Sequence, residues 1–311
     1  MRTVRYHRHG GPEVLRVEQV PQPRPSRGEL LIRVEAIGVT LPGVRKVRGD
    51  GDRGPLPATL GGEVAGAVIG VGPQADGFAI GDRVTALAFV GAYADVVVVP
   101  TFTASRIPDH ADCVQAAALV RSGHVALAAL ATAQITAAES VLVTGAASGV
   151  GHLAVQLAKI QGVTRVVAAV GTVDKVDFVR GLGADEVVVY DDESWTDPVD
   201  VVLDAVGGDL LPRAVAALRP GGRLIFFNSG GGTVPAFDLL AGSKTITGLT
   251  MARFAGTRRD LYDRHHERLW ELHRTGQLRA VIHAQIPLSD AATAHEIIEA
   301  RVNRGKVILR P

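Results

Sequence analysis

The sequence predicts an α/β protein in which a doubly wound parallel sheet follows an antiparallel, barrel-like unit. Three observations carry that expectation. From Val141 onward strand and helix signals alternate. The strands in that region are uniformly apolar, as strands of a parallel sheet covered on both faces are. The first 112 residues are instead punctuated by proline and glycine, with short β-rich runs between turns.

Those runs are Leu30 to Ala36, Glu63 to Val71, Asp82 to Leu87 and Ala94 to Val99. After Pro108 the alanine-rich segment Ala116 to Leu130 reads as a helix. Val141 to Thr144 is a strand, and Gly149 to Ile160 is a helix with Val150, Leu153, Ala154, Leu157 and Ala158 along one face. The rhythm then repeats. Strands are expected at Arg165 to Val170, Glu186 to Val189, Val199 to Asp204 and Arg223 to Phe227, and helices at Val173 to Leu182 and Leu210 to Leu218.

The 311 residues are enough for two domains. The hydrophobic fraction of 47% and the abundant glycine suit a soluble α/β enzyme. A formal net charge of +1 provides no field to attract nucleic acid, and Arg258-Arg259 is offset by Asp260 and Asp263. Cys113 is the single cysteine, so no internal disulfide and no thiolate metal site forms within one chain. A reducing, cytoplasmic setting is expected. No run approaches the roughly 18 uninterrupted apolar residues of a membrane span, so no membrane partner is expected.

The stretch VLVTGAASGVGHLAVQLAK at 141 to 159 is a strand, a glycine-rich turn and a helix. Such a turn sets pyrophosphate against backbone amides at the helix N-terminus, where the dipole favours negative charge. Gly145, Gly149 and Gly151 supply the backbone freedom and close approach, with Ala146, Ser148 and Val150 completing the cradle. The second strand runs into Gly171-Thr172-Val173-Asp174-Lys175, with no carboxylate at its end for the ribose hydroxyls of NAD. Thr172 can donate to a 2′-phosphate and Lys175 can neutralise it. NADPH is therefore the expected cofactor.

TGAASGVG also fits short-chain dehydrogenases, which need a tyrosine with a lysine four residues later to lower the phenol pKa. Tyr6, Tyr93, Tyr190 and Tyr262 are followed at that spacing by Gly10, Val97, Ser194 and His266. No pair qualifies.

With TGAASGVGHLAVQLAK stand LGGEVAGAVIGVG at 60 to 72, FAIGDRVTAL at 78 to 87, GAYADVVVVP at 91 to 100, LGADEVV at 182 to 188, VDVVLDAVGG at 199 to 208, LRPGGRL at 218 to 224 and GKVILRP at 305 to 311. In this order the motifs resemble the zinc-independent quinone oxidoreductase (zeta-crystallin-like) branch of the medium-chain dehydrogenase/reductase superfamily. The resemblance implies a GroES-like β-barrel catalytic domain over 1–115 and 256–311, and a Rossmann NADPH-binding domain over 116–255. It also implies an active site in the cleft between them and, often, a homodimer.

Zinc-dependent relatives carry a catalytic cysteine near position 40 and a Gly-His-Glu run; this chain has Thr40 and Gly61-Gly62-Glu63. Without a zinc Lewis acid, hydride transfer requires an acceptor that is already electrophilic. His265, His266 and His273 are expected on a solvated helix surface, with no pair placed for a metal.

On the substrate side the chain departs from the family, which usually has Asn at Thr40, Asp at Gly43, an aromatic or aliphatic residue at Arg45 and threonine at Val125. Thr40 is expected to hydrogen-bond the substrate, and His124 to serve as oxyanion or proton donor. Asn228 and Ser229, past the strand Arg223 to Phe227, are expected cofactor contacts. Asp204 and Cys113 read as structural, and Tyr93 as packing in the barrel.

The expected function is NADPH-dependent, metal-free hydride transfer to a quinone or an activated (α,β-unsaturated carbonyl) alkene. The alternatives are an enoyl-thioester reductase of fatty acid or polyketide metabolism and a non-catalytic NADPH-binding sensor.

Overall fold

A computed structural model of the chain describes residues 1–50, 54–193, 195–227 and 230–311. The chain divides into two compact units, Met1–Arg121 with Ile282–Pro311, and Ser122–Val281.

The first unit contains β1 (Arg2–Tyr6), β2 (Arg16–Gln19), β3 (Glu29–Gly38), α1 (Leu41–Arg48), β4 (Ala58–Thr59), β5 (Gly62–Val71), β6 (Arg83–Ala88), β7 (Val96–Pro100) and β8 (Ala104–Arg106). The helix α2 (Cys113–Ala133) begins in it and ends in the second unit. β3 is the organising strand. It pairs antiparallel with β5 along its length, while β7 takes the first half of its other edge at Glu29 to Arg33. The end of that edge, at Ile37 and Gly38, is taken by a strand near the C-terminus, β16, described below. Alternating inward side chains, Leu30, Ile32 and Val34 among them, fill one core with Val64, Val68, Val84, Val97 and Val99.

The second unit contains β9 (Ser140–Thr144), α3 (Gly151–Ile160), β10 (Arg165–Val170), α4 (Val176–Arg180), β11 (Glu186–Val189), β12 (Val199–Asp204), α5 (Leu211–Ala216), β13 (Leu218–Phe226), α6 (Ala236–Leu240), β14 (Thr245–Gly248), α7 (Met251–Thr257) and α8 (Arg259–Arg274). The chain then returns to the first unit through β15 (Ile282–Pro287), α9 (Ala291–Glu299) and β16 (Lys306–Arg310). The second sheet is parallel throughout, in the order β11-β10-β9-β12-β13-β14. This is the doubly wound Rossmann order, whose strand direction of growth reverses between β9 and β12.

The expected boundary at 255/256 moves to 281/282 because the segment 256–281 packs on the second unit. Gly123 of α2 leaves the space that Leu269 of α8 occupies; a Cβ there would lie 2.5 Å from Leu269 Cδ2. Gln156 of α3 donates to the Arg279 carbonyl and accepts from its amide, and His152 Nε2 accepts from the Val281 amide at 3.0 Å. The N-terminal boundary moves from the expected 115/116 to 121/122, within α2. That helix is long and apolar enough to cross a membrane by length and composition, but 83% of its apolar window is buried within the protein.

Candidate functional site

The glycine-rich turn sits where the parallel sheet reverses. β9 ends at Thr144, and Gly145 takes a left-handed φ of +60°, which a side chain would strain. Ser148 then caps the coming helix: its Oγ accepts from the Gly151 amide at 3.0 Å and its carbonyl from the His152 amide at 3.1 Å. Gly151 is fixed by space. A Cβ there would lie 2.1 Å from the Gly145 carbonyl oxygen and 2.8 Å from Ala146 Cα.

The amides of Gly149 and Val150 make no hydrogen bond among the described residues and stand at the positive end of α3. A dinucleotide pyrophosphate fits that chemistry: unpartnered donors, a favourable dipole and no Cβ to hold it off.

Two neighbours hold the turn. Thr144 Oγ1 donates to Asp204 Oδ1 at 2.7 Å and accepts from the Ala205 amide at 2.9 Å. Asp204, fully buried, also accepts from the amides of Val206 and Gly207. Its carboxylate is spent on the loop after β12, which agrees with the structural role read from the sequence. On the other side Tyr190, just past β11, accepts from the Gly145 amide at 2.7 Å. A Cβ on Gly171 would lie 3.8 Å from its ring. Tyr190 thus bridges the turns after β9 and β10. Sequence reasoning missed it, although the residue following the third strand of such a sheet stands at its ligand end.

After β10, Gly171 is half-buried, and Thr172 is exposed and opens a single 3₁₀ turn, Val173–Lys175. Lys175 closes that turn and is 7% exposed, so it does not merely solvate the helix surface. Asn228 and Ser229 lie outside the described residues.

His124 lies buried in the second unit. It is 1% exposed, stacked on Tyr262 with ring centroids 4.0 Å apart and planes 9° from parallel, and on His266 at 5.7 Å. Neither ring nitrogen has a partner among the described residues. Burial, reinforced by His266, His265 and Arg259, pushes its pKa down to about 3. The ring is therefore neutral near pH 7 and holds α8 on α2, a packing role in place of the expected catalytic one.

The histidines of α8 are likewise not a solvated face. His265 is buried and stacked on Phe254, while His266 accepts from Trp270 Nε1 at 3.1 Å. No group of three metal-ligating side chains occurs among the described residues.

In the first unit Thr40 ends the extended segment after β3 and caps α1, its hydroxyl accepting from the Gly43 amide at 3.3 Å. It is half-buried, with Gly43 beside it. Behind them Tyr93 Oη and His295 Nε2 are 3.2 Å apart in the core. Burial pushes the Tyr93 phenol up and His295 down to about 4, so both are neutral. Glu63 is buried in an ion pair with Lys306. Cys113 is buried, and its thiol is pushed up to about 11, away from redox chemistry.

Residues 26–109 match the alcohol dehydrogenase GroES-like domain, and residues 182–309 match the family described as zinc-binding dehydrogenase. The chain is 33% identical to human quinone oxidoreductase across 99% of its own length and 97% of that protein. The chain belongs to the quinone oxidoreductase family. The structure of the Escherichia coli quinone oxidoreductase complexed with NADPH superimposes with a TM-score of 0.94, covering all of both chains at 31% identity. A 2-haloacrylate reductase from a Burkholderia species is 29% identical over 98% of this quinone oxidoreductase-family chain and 97% of its own length.

Proposed function

We propose that this protein is an NADPH-dependent oxidoreductase that reduces quinones or activated alkenes without a metal. The single observation that carries the proposal is the turn at 145–151, with its two unpartnered amides and the Cβ-free approach at Gly151, in a chain that resembles an NADPH-bound quinone oxidoreductase over its whole length. When bound, NADPH supplies the hydride.

The chain's own residues divide the remaining tasks. Gly145, Ala146, Ser148, Gly149, Val150 and Gly151 hold the pyrophosphate; Gly171, Thr172 and Lys175 receive the ribose and its 2′-phosphate. Asn228 and Ser229 remain cofactor contacts on sequence grounds. Thr40 is the candidate to hydrogen-bond the acceptor oxygen on which negative charge develops. With His124 neutral and covered, and the Tyr93 phenol pushed above its usual range, solvent delivers the proton.

The name of the Burkholderia relative, a 2-haloacrylate reductase, supports activated alkenes beside quinones as acceptors. A small-molecule substrate, a cytoplasmic setting and a homodimer belong to the same proposal, the last on family resemblance.

The test is NADPH oxidation, followed by absorbance, with 1,4-benzoquinone, 9,10-phenanthrenequinone, an enal and crotonyl-CoA in parallel and NADH as control. Oxidation with a quinone or the enal, faster with NADPH, is expected. Turnover of crotonyl-CoA alone identifies an enoyl-thioester reductase. Tight NADPH binding with no turnover identifies a sensor.

A further inference from the structure

The hairpin of β1 and β2 borders a cavity that the proposed hydride transfer does not use. Between the two strands the chain passes through His7 and Arg8 to a single 3₁₀ turn, Pro12–Val14. The cavity has a volume of about 240 Å³ and is lined by His7, Arg8, Val14 and Arg16. That is the room of about eight waters. Val14 is a buried apolar floor, while His7, Arg8 and Arg16 form an exposed basic rim. None of the lining side chains is acidic.

The charges of this rim are not balanced. In the antiparallel register Arg5 stands directly opposite Arg16, so the two share one face of the hairpin, an arrangement that like charges disfavour. Glu18 on the same face is taken up by His7 Nε2 at 2.6 Å and by Arg5 at 3.6 Å. Glu13 Oε1 accepts from the Gly11 amide at 3.1 Å. Arg16 is left with no carboxylate of its own. Its Nη1 donates to the carbonyls of Glu13 and Leu15 at 2.6 and 3.0 Å, which anchor the guanidinium without neutralising it. Arg8 makes no hydrogen bond or ion pair among the described residues. Two unneutralised guanidiniums, one of them anchored, therefore meet at one cavity.

We infer that this cavity binds a phosphate monoester. Near pH 7 the phosphoryl group of a monoester carries close to two negative charges, which matches the two arginines, and the guanidinium fork bonds phosphate oxygens in pairs. The organic part of the ester covers Val14 at the floor. An anion here also relieves the opposition of Arg5 and Arg16. No lining residue belongs to the proposed cofactor or acceptor sites, so the inference stands whether or not the protein oxidises NADPH.

The test is calorimetry in a low-salt, phosphate-free buffer, which leaves surface charges unscreened. The probes are phenyl phosphate, inorganic phosphate and benzoate, on the wild type, Arg8→Gln and Arg16→Gln. Both side chains are exposed and Arg8 has no bond to lose, so the variants fold; melting temperatures verify this. Phenyl phosphate should bind the wild type with a Kd of about 1 mM or below, and each substitution should raise that Kd about tenfold or more. Inorganic phosphate leaves Val14 uncovered and benzoate carries a single charge, so both should bind the wild type more weakly. A Kd within about twofold of wild type in either folded variant puts the phosphate elsewhere on the protein and overturns the inference. Absence of phenyl phosphate binding by the wild type does the same. Inorganic phosphate or benzoate binding as tightly as phenyl phosphate overturns the assignment to a monoester.

Discussion

Thr144 and Asp204 end the two strands between which the parallel sheet reverses, and their side chains are hydrogen bonded at 2.7 Å. The bond ties the turn that opens α3 to the loop after β12, at the place where open α/β sheets bind ligands. Asp204 completes the tie by accepting from Val206 and Gly207.

Thr144→Val keeps the shape of the strand end and removes the hydroxyl. It leaves the Ala205 amide without its acceptor and Asp204 without one donor, at a cost of about 1–3 kcal/mol. The expected outcome is an unfolding free energy in urea lowered by that amount, with weaker NADPH binding in a fluorescence titration. Unchanged stability would mean that the tie is not energetically significant.

At Gly151 the limit is space. With the Gly145 carbonyl oxygen 2.1 Å from any Cβ, even Gly151→Ala must move the turn, and Gly151→Asp adds a carboxylate beside the proposed pyrophosphate site. Both variants should lose NADPH affinity, the aspartate below detection and the alanine by more than about tenfold. An aspartate variant that binds as the wild type does would show that the pyrophosphate site is misassigned.

How far the sequence revealed this arrangement depended on whether local pattern or tertiary contact decided each element. The strands from Glu29 and the units from Ser140 to Phe226 follow apolar runs and turn residues, and the expected spans agree within a few positions, except that β13 begins at Leu218, expected to end a helix, rather than at Arg223. The helix α1 went unread although its signals were present: Thr40 as cap, Pro42 in the first turn and Gly49 at φ +87° as stop. The α8 histidines were misjudged because a charged sequence hid a stripe. His265, Leu269 and Leu272 are buried at helical spacing, with an imidazole occupying an apolar position. His124 was misjudged for a related reason. Whether an imidazole meets solvent or a stacked Tyr262 is set by a helix more than a hundred residues away in the chain.

The buried histidines make a pH signature. His124 is held down to about 3 and His295 to about 4, each chiefly by burial, against 6.5 when unfolded. The unfolded chain therefore takes up protons below pH 6.5 that the folded chain refuses, so stability is fully present above that pH and falls as the pH drops toward 4. At pH 5 each group withdraws about 2 kcal/mol. His124→Phe keeps a ring against Tyr262 and removes one titration. Its loss of urea stability between pH 7 and pH 5 should be smaller than that of wild type by about that amount. Superimposable pH profiles for the two proteins would contradict the assignment.

Lys175 and Tyr190 offer the sharpest discrimination between the two nicotinamide cofactors. Lys175 closes the 3₁₀ turn after β10 with its side chain largely buried, and Tyr190 bonds the Gly145 amide while its ring borders Gly171. If the 2′-phosphate lies against this turn, Lys175→Ala removes a charge-assisted contact that NADH never makes. The Kd for NADPH should rise by about tenfold or more while that for NADH changes far less. Tyr190→Phe instead frees the Gly145 amide, a loss felt by both cofactors, and should weaken NADPH and NADH alike. Equal effects of Lys175→Ala on the two would remove the lysine from the phosphate site and leave Thr172 as the remaining expected donor there.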